Sequence, residues 1–197
     1  MGGISLKNRI ALWFVVAAVT LSLGQKVVEK QQRQPFPSAD LKMVLTIRVN
    51  QQSYRMSDKV PLEVQLTNTG TSTLYLFDDV CWNPGNFLTI HVFTTEGKEV
   101  SGKLDYLRDC LPPSPRRNDI SRFIRLEPRT FYGVLEDFTV RELVPRPGDY
   151  DIVVYYEAAL SADWIAKYGG TKMAELPVWT RNRPVLASNH LRVAFRP

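Results

Sequence analysis

Leu143-Val144-Pro145-Arg146-Pro147-Gly148-Asp149-Tyr150-Asp151-Ile152-Val153-Val154-Tyr155-Tyr156-Glu157 decides how the rest of the chain is read. Pro147 fixes φ and Gly148 tolerates positive φ, so the pair is expected in the middle of a type II turn. From Tyr150 onward the pattern changes to period two. Tyr150, Ile152, Val154 and Tyr156 share one face, and Asp151, Val153, Tyr155 and Glu157 the other. That alternation is the mark of a strand with one buried face and one partly covered face.

The same period recurs upstream. Leu45, Ile47 and Val49 alternate with Thr46 and Arg48, and Val60, Leu62, Val64 and Leu66 with Glu63, Gln65 and Thr67. Asn68-Thr69-Gly70-Thr71 is a turn. Further strands are expected at Leu74–Phe77, at Leu88–Phe93 before a Glu96-Gly97 turn, at 123–126, and at 131–140 after Glu127-Pro128-Arg129. Leu191, Val193 and Phe195 give the inward side of a closing strand. Roughly eight short strands with turn chemistry between them indicate a sandwich or barrel. A parallel α/β design needs long helical crossovers, and no such stretch exists. Only Ser161–Tyr168 reads as a helix, with Ser161 as N-cap, Asp163 at the positive helix start and Gly169 as terminator. It lies in an excursion over 158–188, between the last two strands.

The 197 residues are enough to bury a core. The formal charge of +5 is mild and dispersed, which argues against a nucleic-acid partner. The first 24 residues have the tripartite form of a secretory signal: basic Lys7 and Arg9, apolar Ile10–Leu21, then small residues at Ser22-Leu23-Gly24. The apolar run is shorter than the ~20 residues of a spanning helix, so no membrane span is expected after cleavage. Retention as an anchor is the alternative. Residues 25–42 lack periodicity and read as a flexible tether, leaving a folded domain over 43–197. Export to the periplasm or outside the cell also sets the reading of Cys81 and Cys110, the two cysteines of the chain. In an oxidising compartment they are expected to pair, closing a loop of about 30 residues and contributing roughly 3–4 kcal/mol.

Certain chemistries lack their sequence signatures. His91 and His190 are the two histidines; no Gly-x-Ser-x-Gly elbow presents a serine, and a zinc site needs three or four ligands. Asp78-Asp79, Asp149 and Asp151 are candidates for a calcium site at a sandwich end, but no Asp-x-Asp-x-Asp-Gly loop is present. No metal, cofactor or catalytic residue is therefore expected. The aromatic and basic excursion is the candidate for protein binding, through Trp164, Tyr168, Trp179 and Arg181, since such side chains recur at hot spots. The alternative is that Trp164 and Trp179 cover one open end of the sandwich. Arg116 and Arg117 are a second basic pair, in a proline-rich loop.

Val60-Pro61-Leu62-Glu63-Val64, Thr67-Asn68-Thr69-Gly70, Arg125-Leu126-Glu127-Pro128, Pro147-Gly148-Asp149-Tyr150 and Ser188-Asn189-His190-Leu191 together resemble the immunoglobulin-like domains of secreted bacterial proteins. The resemblance implies an all-β, immunoglobulin-like antiparallel β-sandwich of about seven to eight strands, with one short helix in the loop before the last. It also implies that Tyr150 is a tyrosine corner, its hydroxyl bonding back to upstream backbone. Cys81 and Cys110 stand in or beside loops, so the antibody-type disulfide is not implied. Such motifs specify fold rather than activity. The expected function is that of an exported, non-catalytic binding or structural module with an unidentified protein or cell-envelope partner. A proteinase-inhibitor-like or chaperone-like domain presenting a loop is the alternative within that class, and an enzyme with an unrecognised site the alternative outside it.

Overall fold

Ten strands carry the architecture, and the computed structural model describes them within residues 41–78, 80, 82, 87–100 and 115–197. The leader over 1–24, nearly all of the tether, and both Cys81 and Cys110 lie outside the described residues. The strands are β1 (Met43–Arg48), β2 (Ser53–Arg55), β3 (Lys59–Asn68), β4 (Leu74–Phe77), β5 (Phe87–Thr94), β6 (Phe123–Leu126), β7 (Phe131–Thr139), β8 (Gly148–Glu157), β9 (Leu186–Ala187) and β10 (Leu191–Arg196). One sheet has the order β1-β3-β7 and a second the order β2-β10-β8-β5, with β9 added to β8; β4 and β6 form a separate pair.

The inward faces of the two larger sheets merge in one apolar core. Leu45, Ile47, Val60, Leu62, Val64 and Leu66 meet Leu88, Ile90, Val92, Ile152, Val154, Val193 and Phe195 there. This is an all-β, sandwich-like domain. Period two explains the burial: along β3 every second residue is buried, and along β8 Tyr150, Ile152, Val154 and Tyr156 are inward. Val153, on the other face of β8, is buried as well.

Two departures from regular antiparallel pairing come from short elements. β2 runs parallel to β10, pairing Tyr54 with Phe195. The chain thus leaves the first sheet after β1, joins the edge of the second, then turns back at Arg55–Asp58 into β3. Three residues are too few for a periodic signal, and Tyr54 is what anchors them: it is buried, and its hydroxyl donates to Asn50 at 2.6 Å. Val140 is the second departure. It was expected to end a strand, but β7 stops at Thr139 and a helical turn, α1 (Val140–Leu143), follows. Glu142 accepts a hydrogen bond from the Thr139 N–H at 2.6 Å, and Val140 and Leu143 turn into the core.

The turn before β8 also differs from the sequence expectation. Gly148 is not among the glycines with positive φ; it is the first residue of the strand and pairs with Phe195. Its lack of a side chain serves a close approach instead. A Cβ there would stand 3.1 Å from Cε2 of Tyr150, so the glycine makes room for that ring. The Tyr150 hydroxyl donates to the carbonyl of Arg146 at 3.0 Å. The Phe195 ring lies 5.8 Å from that of Tyr150 and 6.4 Å from that of Tyr54, so one aromatic cluster ties the turn to both neighbours of β10.

Buried polar side chains stitch the turns. Asn68 is fully buried; its amide donates to the carbonyls of Ser72 and Leu126 and accepts from the N–H of Gly70, all at 2.9–3.0 Å. Ser188 accepts from the N–H of Val154 at 2.9 Å. Asn189 uses its amide as a strand would use its backbone, accepting from Ile47 N–H at 2.9 Å and donating to Ile47 carbonyl at 3.3 Å. It thereby links β1 of one sheet to the start of β10 in the other.

Candidate functional site

The excursion between β8 and β10 is built on its own apolar cluster. Leu160, Ile165, Met173 and Val178 pack with Phe77 of β4 and Phe123 of β6, with Trp164 and Tyr75 against them. The helical part is α2 (Ala162–Trp164), a π-helical turn (Ile165–Gly169) and α3 (Gly170–Ala174). Ser161 caps it, accepting from the Trp164 N–H at 3.1 Å. Gly169 does not end it. Met173 is fully buried and lies so close that a Cβ on Gly169 would stand 2.8 Å from its sulfur. Burying Met173 carries helical structure on beyond Gly169, with the change of direction at Gly170, whose φ is +77°.

Asn118 clamps this segment from outside. Its N–H donates to the Gly169 carbonyl at 2.7 Å, and its side-chain oxygen accepts from Lys172 N–H at 3.0 Å. Asn118 directly follows the basic pair Arg116-Arg117. Its usable signal is that asparagine tolerates the left-handed region, where it sits at φ 61°. Arg116 and Arg117 precede it and are exposed.

The four aromatic and basic candidates do not share one surface. Trp179 is 5% exposed and belongs to the main core. It is fixed there because its backbone N–H donates to the Tyr75 carbonyl at 2.9 Å. Trp164 is half-buried against the second cluster. Tyr168 is 50% exposed, its ring centroid 5.8 Å from that of Trp164, with the Lys167 ammonium 5.0 Å above it. Arg181 faces Glu157 at 3.2 Å and donates to the Ala158 carbonyl at 3.3 Å, tying the excursion to the end of β8. The outward group is therefore Trp164, Lys167 and Tyr168.

The titratable candidates are held in pairs. Asp151 accepts a two-pronged contact from Arg192, at 3.0 and 2.9 Å; those hydrogen bonds, with the charge of Arg192, hold its carboxyl below the usual aspartate range. Asp149 lies 3.0 Å from Arg196, and Asp78 2.7 Å from Arg122. His91 points outward from β5, with Glu99 at 2.8 Å and the Tyr155 ring edge-on at 5.0 Å. His190 is exposed. Among the described residues no three His, Cys, Asp or Glu side chains stand together as a metal site would require, and no helix is long and apolar enough to cross a membrane.

No protein-family model and no curated protein matches the chain. Some solved structures show a distant likeness to it. One is the CARDB domain of a Pyrococcus furiosus protein, solved in complex with di-metal ions, at 11% identity over 80% of this chain and 94% of that one, with a TM-score of 0.36. Another is the sporulation control protein Spo0M of Bacillus subtilis, at 7% identity over 79% of this chain and 49% of that one, with a TM-score of 0.40. A third is a β-glucosidase from Erythrobacter marinus, at 11% identity over 79% of this chain and 15% of that one, with a TM-score of 0.33. Likenesses of this extent assign no activity.

Proposed function

We propose that the chain is an exported, non-catalytic binding module on an immunoglobulin-like sandwich, and that it meets a protein or cell-envelope partner through the helical excursion. The order A-B-E in one sheet and A′-G-F-C in the other is how an immunoglobulin-like domain would use β1-β3-β7 and β2-β10-β8-β5. The Tyr150–Arg146 contact supports the same reading. Export rests on the leader, with Lys7 and Arg9 before Ile10–Leu21.

The observation that carries the binding role is the exposure of Tyr168 beside Trp164 and Lys167 on a segment anchored from beneath by Met173. An aromatic on a rigid support loses little freedom when a partner covers it. The test is affinity capture from the envelope fraction with wild-type chain and with Tyr168→Ala combined with Lys167→Ala. Loss of a captured partner at unchanged melting temperature is expected. Equal capture by both proteins, or none by either, would overturn the reading.

A further inference from the structure

We propose that the loop at 116–120 and the helical excursion form one docking surface, and that its occupant is an acidic segment of a protein partner that also carries apolar side chains. This rests on the excursion being the face that meets a partner. It adds the loop to that face, and the chemistry of what is bound.

Asn118 joins two segments that are far apart in sequence. The Asp119 N–H donates to the Arg116 carbonyl at 3.0 Å, closing a turn with Arg117 and Asn118 at its tip. Through the bonds of Asn118 to Gly169 and Lys172, that turn lies directly against the helical segment. Arg117 packs over Gly170, where a Cβ would stand 2.9 Å from its Cγ. The glycine lets the arginine stem lie on the backbone while the residue stays exposed.

The joined surface is apolar at two points and basic at four. Ile120 is 44% and Tyr168 50% exposed, one from each segment. Arg116, Arg117, Lys167 and Lys172 are all exposed, and among the described residues none of them forms an ion pair. Lys167 lies over the Tyr168 ring rather than against Asp163, one turn earlier. Asp119, the acid within the loop, accepts from the N–H and the hydroxyl of Ser121 at 3.0 and 2.5 Å. Cations without ion-pair partners match a partner that brings carboxylates, and the exposed tyrosine and isoleucine match apolar side chains between them.

The remaining acids select the class of partner. Asp163 and Glu175 are exposed at the start and the end of the helical segment. A flat anionic bilayer laid over the whole segment would press its charge on both. A peptide strip can cross between them.

Titration of the full chain with a random copolymer of glutamate and tyrosine, followed through the backbone amide shifts, tests this. Saturable binding is expected, with amides of the loop and of the excursion moving together and affinity falling as salt is raised. Arg116→Glu with Arg117→Glu, and separately Lys167→Glu with Lys172→Glu, are each expected to weaken binding by about tenfold or more, since like charges then meet. Melting temperatures are expected to stay alike. Lys98→Glu with Arg141→Glu, exposed on other elements, should leave binding unchanged. No saturable binding by wild type would overturn the proposal. A loop variant that binds like wild type would also overturn it, while leaving the excursion alone as the binding face. Equal loss in the control pair would assign the effect to net charge, and tighter binding to vesicles of phosphatidylcholine with phosphatidylglycerol would assign the surface to lipid; either result overturns it.

Discussion

At Tyr150 a single side chain makes two separable contributions. The ring is buried beside Phe195 over a glycine shaped to receive it, while the hydroxyl holds the Arg146 carbonyl. Tyr150→Phe keeps the ring and orphans a part-buried acceptor, so a loss of about 1 kcal/mol is expected. Tyr150→Ala also empties the ring site, for roughly 3–5 kcal/mol. Denaturant melts of the two variants separate the terms; equal losses would mean the ring does not pack as described. Asn68 is a harsher case because its amide satisfies three backbone groups in a fully buried place. Asn68→Ala leaves all three without it and should cost roughly 2–4 kcal/mol, read from the same melts. Tyr150 was legible because its turn and its alternation are contiguous in sequence. The role of Asn68 was not: one of its partners, Leu126, is 58 residues away, and turn chemistry alone accounts equally well for an exposed asparagine.

Among the elements, long strands were legible and short ones were not. β3 alternates over ten residues, and β8 does so from Tyr150 onward apart from buried Val153, so inward positions could be named directly. β2 and β9, of three and two residues, carry no period. Their existence depends on Tyr54 and on pairing with distant strands. Gly148 misled for a related reason: a Pro-Gly pair signals a turn, but the pressure on this glycine comes from a ring two residues on. The excursion was legible as a helix up to Gly169, and its continuation depends on Met173 finding a pocket that the sequence does not display.

Two expectations belong to elements. Burial raises the Tyr54 pKa above its ordinary value. The raised folded value means that the protonated hydroxyl favours the folded state. Its contribution is complete below the unfolded tyrosine value of about 10 and is lost as pH rises through the folded value. Melting temperature should fall over that alkaline window, and Tyr54→Phe should flatten this part of the profile. An unchanged profile in Tyr54→Phe would assign the alkaline loss to other groups. Cys81 and Cys110, by proposal, close a loop of about 30 residues, and reduction should remove roughly 3 kcal/mol, lowering the melting temperature by several degrees, about 2–4 °C per kcal/mol at this size. Thiol labelling of both cysteines in native, unreduced protein would refute the pairing.

For the whole molecule, one core joins two sheets while a second cluster supports the excursion. The first was legible because the long strands β3, β5, β8 and β10 contribute alternating inward residues to it. The second was not, since β4 and β6 pair with each other rather than with either larger sheet, and no periodicity announces that choice. The two cores should differ in how they open. Elements bound only by the smaller cluster are expected to open at a lower free energy than the sandwich. Native-state hydrogen exchange resolves this residue by residue, and it tests most directly the claim that both sheets are halves of one folded unit. Amides of Leu62, Val64 and Leu66 are expected to share a single opening free energy with those of Ile152, Val154 and Val193, equal to that of global unfolding. Two distinct opening free energies, one for each sheet, would contradict it.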